Sequence, residues 1–247
     1  MPCSRPWWTG WAEGACLFER PHHRRIAAVL AALDADLLAA NGCLFGGGSA
    51  MALRYGEYRE SVDIDFLVAR VEGYRQLRQR LTSPEGLRAI TRAGQVLSQT
   101  REVRADQYGI RTLLQVDGVG IKFEIVLERR IELEAPGTGD RLCGVATLTP
   151  LDMATSKLLA NSDRWRDDAV MSRDLIDLAM MAPPRALLKE AMAKARGAYG
   201  DSVAADLASA VEDLRARPHR LDQCMQAMAM TTVSKAALWA RIKALVR

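Results

Sequence analysis

Hydrophobic residues follow two different spacings along this chain. Between Cys43 and Glu128, short runs alternate apolar with polar residues, which is the pattern of half-buried strands. From Thr149 onward, apolar residues recur every three or four positions, which is typical of amphipathic helices. Proline and glycine separate the predicted helices, which span residues 151–162, 171–181, 185–199, 203–215, 220–230 and 235–246.

This change of spacing predicts an α+β fold. We expect an N-terminal α/β core with a helical lead-in and a mixed or antiparallel sheet, followed by an all-helical C-terminal part. The loop-forming stretch at residues 135–140 suggests a boundary that divides the chain into domains 1–140 and 141–247. The same stretch could instead be an active-site loop, because binding residues often lie on loops. A chain of 247 residues can bury enough surface for one large or two modest domains.

One segment of the N-terminal part predicts a β-hairpin. Its strands, residues 111–116 and 121–126, flank the turn sequence Asp117–Gly120. Because side chains alternate along a strand, Phe123 and Glu124 should lie on opposite faces of the sheet. Glu124 is then either a solvent-facing side chain or part of a site on that face.

A glycine-rich turn, Gly46–Ser49, follows the apolar run 43–45 and precedes a helix-compatible run at residues 50–55. Backbone N–H groups at such a helix start can bind a phosphate, and glycine permits its close approach. The sequence therefore predicts that Gly47, Gly48 and Ser49 bind the phosphates of a nucleotide.

Two acidic residues, Asp63 and Asp65, come shortly after this turn. A period of two puts both carboxylates on one face of a strand, with Val62, Ile64 and Phe66 on the other. Two like charges so close need a cation between them. Mg²⁺, or Mn²⁺ in its place, is expected because hard cations prefer carboxylate and phosphate oxygens.

The order and spacing of these two motifs resemble the nucleotidyltransferase superfamily related to DNA polymerase β. In that superfamily a glycine turn opens a helix, the next strand carries two metal-binding aspartates, and a later strand adds a third carboxylate. The resemblance implies that Asp63, Asp65 and Glu124 hold the metal. The superfamily more often has Asp at the third position, so Glu124 departs from its pattern.

Further motifs extend the resemblance from Leu44 to Leu178. Arg59 and Ser61 precede Asp63. A later predicted helix, with Thr149 as its N-cap and Pro150 as its first residue, carries one lysine, and an Arg-Asp-x-x-Asp motif begins the helix after it. This set resembles the AbiEii/AbiGii-type nucleotidyltransferase toxins.

The toxin resemblance implies roles for four more residues. Lys157 would contact nucleotide phosphates, Arg59 would help to bind the nucleotide, and Asp177 would support catalysis as an orienting or acceptor-side carboxylate. Asp174 is either catalytic or the partner of Arg173 in an internal ion pair.

The resemblance also implies a function. The protein would move a nucleoside monophosphate from a nucleoside triphosphate to the 3′ end of tRNA, as the toxin of a type IV-like toxin–antitoxin system that blocks translation. A cognate antitoxin would be its partner. Transfer to an aminoglycoside-type small molecule or to a protein hydroxyl would use the same metal site. A catalytically silent nucleotide- or RNA-binding module is the alternative from another class. The glutamate at position 124 is the one departure that supports it, whereas the glycine turn, both aspartates and the lysine favour an active enzyme.

Composition permits this function without requiring it. The net charge is +4, and arginines cluster at positions 75, 78, 80, 88, 92, 101 and 104, where they could form a solvated face or hold an RNA backbone. The N-terminus lacks a long apolar stretch, so we expect no signal peptide, no membrane span and a cytoplasmic protein. Trp7, Trp8 and Trp11 are expected to pack on the body of the fold.

Overall fold

The computed structural model describes residues 18–246 of the chain. The predicted packing of Trp7, Trp8 and Trp11 lies outside the described residues. The expected α+β fold is confirmed. Its helices are α1 (Pro21–Ala32), α2 (Ala35–Ala40), α3 (Gly47–Arg54), α4 (Val71–Leu81), α5 (Pro150–Arg164), α6 (Arg173–Met181), α7 (Arg185–Tyr199), α8 (Ser202–Ala216), α9 (Arg220–Ala227) and α10 (Lys235–Ala244). Its strands are β1 (Cys43–Gly46), β2 (Ile64–Val68), β3 (Ser98–Gln99), β4 (Arg104–Ala105), β5 (Gly109–Val116), β6 (Val119–Leu127), β7 (Arg141–Leu142) and β8 (Val145–Ala146).

The main sheet is mixed, as the sequence predicts. Its strand order is β1-β2-β6-β5-β3, and β4 also pairs with β5. The β2–β6 pair is parallel, and the other pairs are antiparallel. The predicted hairpin is the β5–β6 pair, but its turn is shorter than expected. Only Asp117 and Gly118 connect the strands, both with positive φ, which suits a tight hairpin.

Three phenylalanine rings fix the central strands against the core. Phe66 on β2 lies between Phe45 on β1 and Phe123 on β6, with ring centroids 5.5 and 5.7 Å away. All three are buried. Val62 was expected on this face, but its side chain is 48% exposed because β2 begins only at Ile64.

The opposite face of the same strands carries a row of polar positions. Gly46, Asp65, Glu124 and Arg111 are direct neighbours across β1, β2, β6 and β5. The alternation of side chains puts Asp65 and Glu124 on one face of the sheet if β2 and β6 are neighbours. The structure shows that these two strands pair directly, with Asp65 opposite Glu124. The aromatic packing on one face therefore sets which polar side chains meet on the other.

The C-terminal part is helical, as predicted. Thr149 caps α5 by accepting a hydrogen bond from the Asp152 backbone N–H at 3.2 Å, and Pro150 is the first residue of the helix. Helix α5 contacts α6, α7 and α8. The strand pair β7–β8 follows directly after the predicted boundary loop 135–140, and β8 packs on α2 and β1. Buried side chains from Phe18 to Leu245 form one hydrophobic cluster, and the division into two domains stays a prediction. None of the helices in residues 18–246 is long and apolar enough to cross a membrane.

The Phe66→Ala substitution tests the packing that sets the strand register. Because this ring is completely buried between two others, its loss should reduce the free energy of unfolding by about 3–5 kcal/mol. Urea denaturation followed by circular dichroism measures the change. Val96→Ala, at a side chain 79% exposed, is the control and should have little effect. A loss for Phe66→Ala no larger than the control's would contradict this account of the core.

Candidate active site

The glycine turn joins β1 directly to α3. The helix begins at Gly47, three residues earlier than the sequence predicts, because Gly47 adopts φ +66° and lets the chain turn at once. A Cβ atom at this position would lie 2.5 Å from Oδ2 of Asp65. The backbone at the start of α3 is therefore in close contact with the second aspartate, and only glycine fits there.

Ser49 and Arg59 support the turn from within the protein. The Ser49 hydroxyl is buried, donates a hydrogen bond to the Asp63 carbonyl and lies 2.9 Å from Ser61 Oγ. A Cβ atom at Gly48 would lie 2.5 Å from the Arg59 guanidinium. These contacts give Ser49 and Arg59 supporting positions, and they do not favour the direct phosphate and nucleotide contacts that the sequence predicts for their side chains.

Asp63 and Asp65 form the acidic part of the site. Both are half-buried, and neither forms an ion pair with any residue of the described range 18–246. Burial raises the pKa of Asp65, and the negative charge of Asp63 raises it further. A cation placed between the two carboxylates would relieve this repulsion.

Glu124 lies beside Asp65 but already has cationic partners. Its carboxylate is 2.5 Å from Arg111 Nε and 2.6 Å from Lys122 Nζ. Accordingly, residues 18–246 contain no group of three or more His, Cys, Asp or Glu side chains arranged to hold a metal ion. The structure brings Glu124 into the site, and its role as the third metal ligand stays a prediction.

Lys122 and Arg111 are members of the site that the sequence analysis did not identify. Lys122 is half exposed, and its pKa is raised mainly by Glu124, with smaller contributions from Asp65 and Asp63. Its position next to Glu124 on the polar face of β6 was visible in the sequence. The missing information was the parallel pairing with β2, which brings Lys122 near the two aspartates.

Asp177 lies at the centre of a buried network of charges. Arg59 binds both of its carboxylate oxygens, through Nε at 2.6 Å and Nη2 at 2.9 Å, and Tyr58 donates to Oδ1 at 2.7 Å. Lys157 Nζ lies 2.6 Å from Oδ2. Burial alone would raise the pKa of Asp177, but Arg59 and Lys157 outweigh it, so the carboxyl group stays ionised.

Asp174 continues this network toward the surface. It accepts hydrogen bonds from Lys157 Nζ at 3.0 Å and from Arg164 Nε at 2.7 Å. Of the two alternatives for Asp174, an ion pair with Arg173 is wrong, since the Arg173 side chain is exposed and the cations that bind Asp174 come from α5. Lys157 therefore bridges two aspartates. The positive charge of Lys157 also acts to lower the pKa of Asp65. Burial and the charge of Asp63 are larger effects, so that pKa is raised overall.

Comparisons with known proteins agree with this geometry. The family model described as the nucleotidyl transferase AbiEii toxin of type IV toxin–antitoxin systems matches residues 28–245. The chain belongs to the AbiEii family. It is a nucleotidyltransferase of a toxin family, as the sequence resemblance implies.

Solved structures similar to this AbiEii-family protein support the same fold. JHP933 from Helicobacter pylori matches with a TM-score of 0.54 and 15% identity over 93% of this chain and 94% of its own. A provisionally assigned nucleotidyltransferase from H. pylori matches with a TM-score of 0.51 and 16% identity over 96% of each chain. At these identities the likeness concerns the fold. No curated protein matches the chain.

The Asp177→Ala substitution tests the buried network of the AbiEii-family site. It would leave Arg59 and Lys157 buried without their shared partner, so we expect a loss of about 3–5 kcal/mol in the free energy of unfolding. The control is Asp201→Ala, which removes an exposed partner of Arg196 and should change stability little. Urea denaturation measures both variants, and equal stabilities would refute the central place of Asp177.

Proposed function

We propose that this AbiEii-family protein transfers a nucleoside monophosphate from a nucleoside triphosphate to the hydroxyl at the 3′ end of tRNA, with pyrophosphate as the leaving group, using Mg²⁺ or Mn²⁺. The observation that carries the proposal is the contact between Gly47 and Asp65, in which a Cβ atom would lie 2.5 Å from the carboxylate. A triphosphate bound at the start of α3 would thus lie directly beside the acidic pair. Phosphate and metal ligands would then share one site.

The donor set of the site suits Mg²⁺. Proteins usually bind this ion through one or two carboxylates together with substrate phosphates, and Asp63 and Asp65 supply two carboxylates without ion pairs in residues 18–246. Glu124 would join them only after releasing Arg111 and Lys122. The bound metal would neutralise charge on the triphosphate and lower the pKa of the attacking hydroxyl.

The residues of the chain would act around these ligands. Backbone N–H groups of Gly47 and Gly48 would hold the β- and γ-phosphates at the start of α3. Lys157 would direct its positive charge toward the nucleotide. Asp177 would hold and orient the Lys157 side chain through the 2.6 Å contact between Oδ2 and Nζ. Asp177 would thus be a positioning residue.

Family membership supports a biological role for this reaction. AbiEii proteins are toxins of type IV toxin–antitoxin systems, so a cognate antitoxin is a plausible partner. A nucleotide added to the 3′ end of tRNA would prevent amino-acid attachment and block translation in the cytoplasm. Transfer to an aminoglycoside-type molecule or to a protein hydroxyl remains compatible with the same site.

The Asp65→Asn substitution should separate function from stability. Because burial and Asp63 raise the pKa of Asp65, its ionised form is disfavoured in the folded protein at neutral pH, and this penalty falls as pH falls toward that pKa. Removing the charge should leave stability at pH 7 unchanged or higher. The variant should also lose the Mg²⁺-dependent rise in melting temperature that ligand binding gives the unmodified protein.

Thermal denaturation at pH 7, with and without Mg²⁺, measures both effects. Asp201→Asn, at an exposed carboxylate paired with Arg196, is the isosteric control and should keep the Mg²⁺ response. An equal Mg²⁺ response in both variants would exclude Asp65 as a metal ligand. A marked loss of stability in Asp65→Asn would show that its charge is favourable.

Nucleotide transfer can be followed with each of four α-labelled nucleoside triphosphates, Mg²⁺ and total tRNA. We expect label in RNA from the unmodified protein and at least about a 100-fold slower reaction for Asp63→Asn and Asp65→Asn, as for the loss of other major electrostatic catalytic groups. Removal of Mg²⁺ with EDTA should have the same effect, and the control variant Asp201→Asn should be active.

The recipient of the label distinguishes the alternatives. Label on a polypeptide or on an aminoglycoside, but not on RNA, would replace the tRNA proposal with one of the other acceptors. Nucleotide binding without transfer to any acceptor would favour the silent binding module.

A further inference from the structure

The polar row of the main sheet continues beyond the candidate active site. Arg111 on β5 pairs in register with Glu124 on one side and with Arg104 on the edge strand β4 on the other. The row therefore runs Gly46, Asp65, Glu124, Arg111 and Arg104 across neighbouring strands. Its charge changes from negative at the carboxylates to positive at the sheet edge.

Two more arginines lie beside the positive end of this row. The pKa of Tyr74 on α4 is raised mainly by burial and, to a smaller extent, by the negative charge of Asp106. Arg78 lies one helical turn after Tyr74 on α4, and Arg129 lies two residues beyond the end of β6; together with Arg111, both act to lower the pKa of the same phenol. The Tyr74 hydroxyl also donates a hydrogen bond to the Asp106 carbonyl at 2.7 Å, which joins α4 to the β4–β5 turn. Helix, edge strand and the end of β6 thus form one surface.

The cations of this surface differ in how far they are neutralised. Arg111 is paired with Glu124 and Asp106. By contrast, Arg78, Arg104 and Arg129 are exposed, and none of them has an ion-pair partner among residues 18–246. Exposed arginines on the C-terminal helices include several that are paired, such as Arg215 with Glu212 and Arg196 with Asp201. Arg78, Arg104 and Arg129 therefore give the edge of the sheet next to the site a positive charge that no acidic side chain of residues 18–246 pairs with.

An exposed aromatic ring lies at the same edge. Tyr108, in the turn between β4 and β5, has 61% of its surface exposed. Its backbone is nevertheless fixed, because its N–H donates to Asp106 Oδ1 at 2.7 Å and its carbonyl accepts from the Leu127 N–H at 2.9 Å. Aromatic rings presented beside cationic grooves are the usual means of stacking the bases of single-stranded nucleic acid.

We propose that Arg78, Arg104, Arg129 and Tyr108 form a binding surface for single-stranded RNA, which leads the 3′ end of the acceptor to Asp65. The arginines would contact the phosphates and the tyrosine would stack on a base. This inference rests on the proposed function for the position of the 3′ end. RNA binding by the surface can be tested without catalysis.

A combined variant, Arg78→Gln, Arg104→Gln and Arg129→Gln, tests the phosphate contacts. Binding of a fluorescent single-stranded RNA is measured by anisotropy between 0.1 and 1 M salt. Each lost contact should reduce the slope of log K against log salt by about 0.7, so the total should fall by about 2. The ratio of the unmodified protein's affinity to that of the variant should therefore be about 100-fold larger at 0.1 M salt than at 1 M salt.

The matched control removes the same charge elsewhere. Arg185→Gln, Arg196→Gln and Arg215→Gln change exposed arginines on α7 and α8. This variant should keep the slope and nearly all of the affinity. If both triple variants lose affinity equally, the effect is one of net charge, and the proposed surface is refuted.

The Tyr108→Ala substitution gives an independent measurement. Loss of one base stack should weaken RNA binding about tenfold without changing the salt slope, because no phosphate contact is removed. Tyr108→Phe should restore the affinity. Unchanged binding by Tyr108→Ala would overturn the stacking role, and binding of the surface to anionic vesicles but not to RNA would overturn the nucleic-acid assignment.

The same variants separate this inference from the proposed function. Undiminished RNA affinity and an unchanged KM for tRNA in the arginine variant, with label still entering tRNA, would refute the surface and leave the transfer reaction intact. Loss of RNA affinity in a protein that transfers no nucleotide to tRNA would support the surface and refute the tRNA reaction.

Discussion

The buried carboxylate of Asp177 holds together segments that are far apart in the chain. Its oxygens bind Arg59 from the segment before β2, Lys157 from α5 and the hydroxyl of Tyr58. Arg59 in turn lies against Gly48, where a Cβ atom would be only 2.5 Å from it. Since an unpaired charge in this position would be costly, the helices and the glycine turn are constrained to one arrangement.

Some carboxylates of the site are paired with cations and others are not. Asp174 and Asp177 are neutralised by Lys157, Arg59 and Arg164, and Glu124 is neutralised from the adjoining strand. Asp63 and Asp65 have no such partners within residues 18–246. The fold thus pairs Asp174, Asp177 and Glu124 with cations and leaves Asp63 and Asp65 unpaired, which is the arrangement a cation-dependent site requires.

The local sequence pattern was sufficient to predict strands and helices. It could not predict side-chain contacts between residues that are far apart in the chain. The hairpin and the cap at Thr149 depend on neighbours in the chain, and both are present. Arg59, by contrast, is bound to a residue 118 positions away, and Ser49 to a carbonyl 14 positions away. Their motif suggested contact with a nucleotide, but the competing partners become visible only when strands and helices are assembled. The same holds for Lys122, which required the parallel β2–β6 pairing.

The glutamate at position 124 illustrates why departure from a motif need not mean loss of activity. Its additional methylene lengthens the reach of the carboxylate from the row shared with Asp65, and the group ends between Arg111 and Lys122. A third protein ligand is not essential to Mg²⁺, which accepts substrate phosphates and water in its remaining positions. What the pairing does change is the charge beside the acidic pair: Arg111 and Lys122 offset the charge of Glu124, which reduces the repulsion of a polyanionic substrate. Glu124 is thus compatible with an active nucleotidyltransferase, and the silent module loses the argument that rested on this residue.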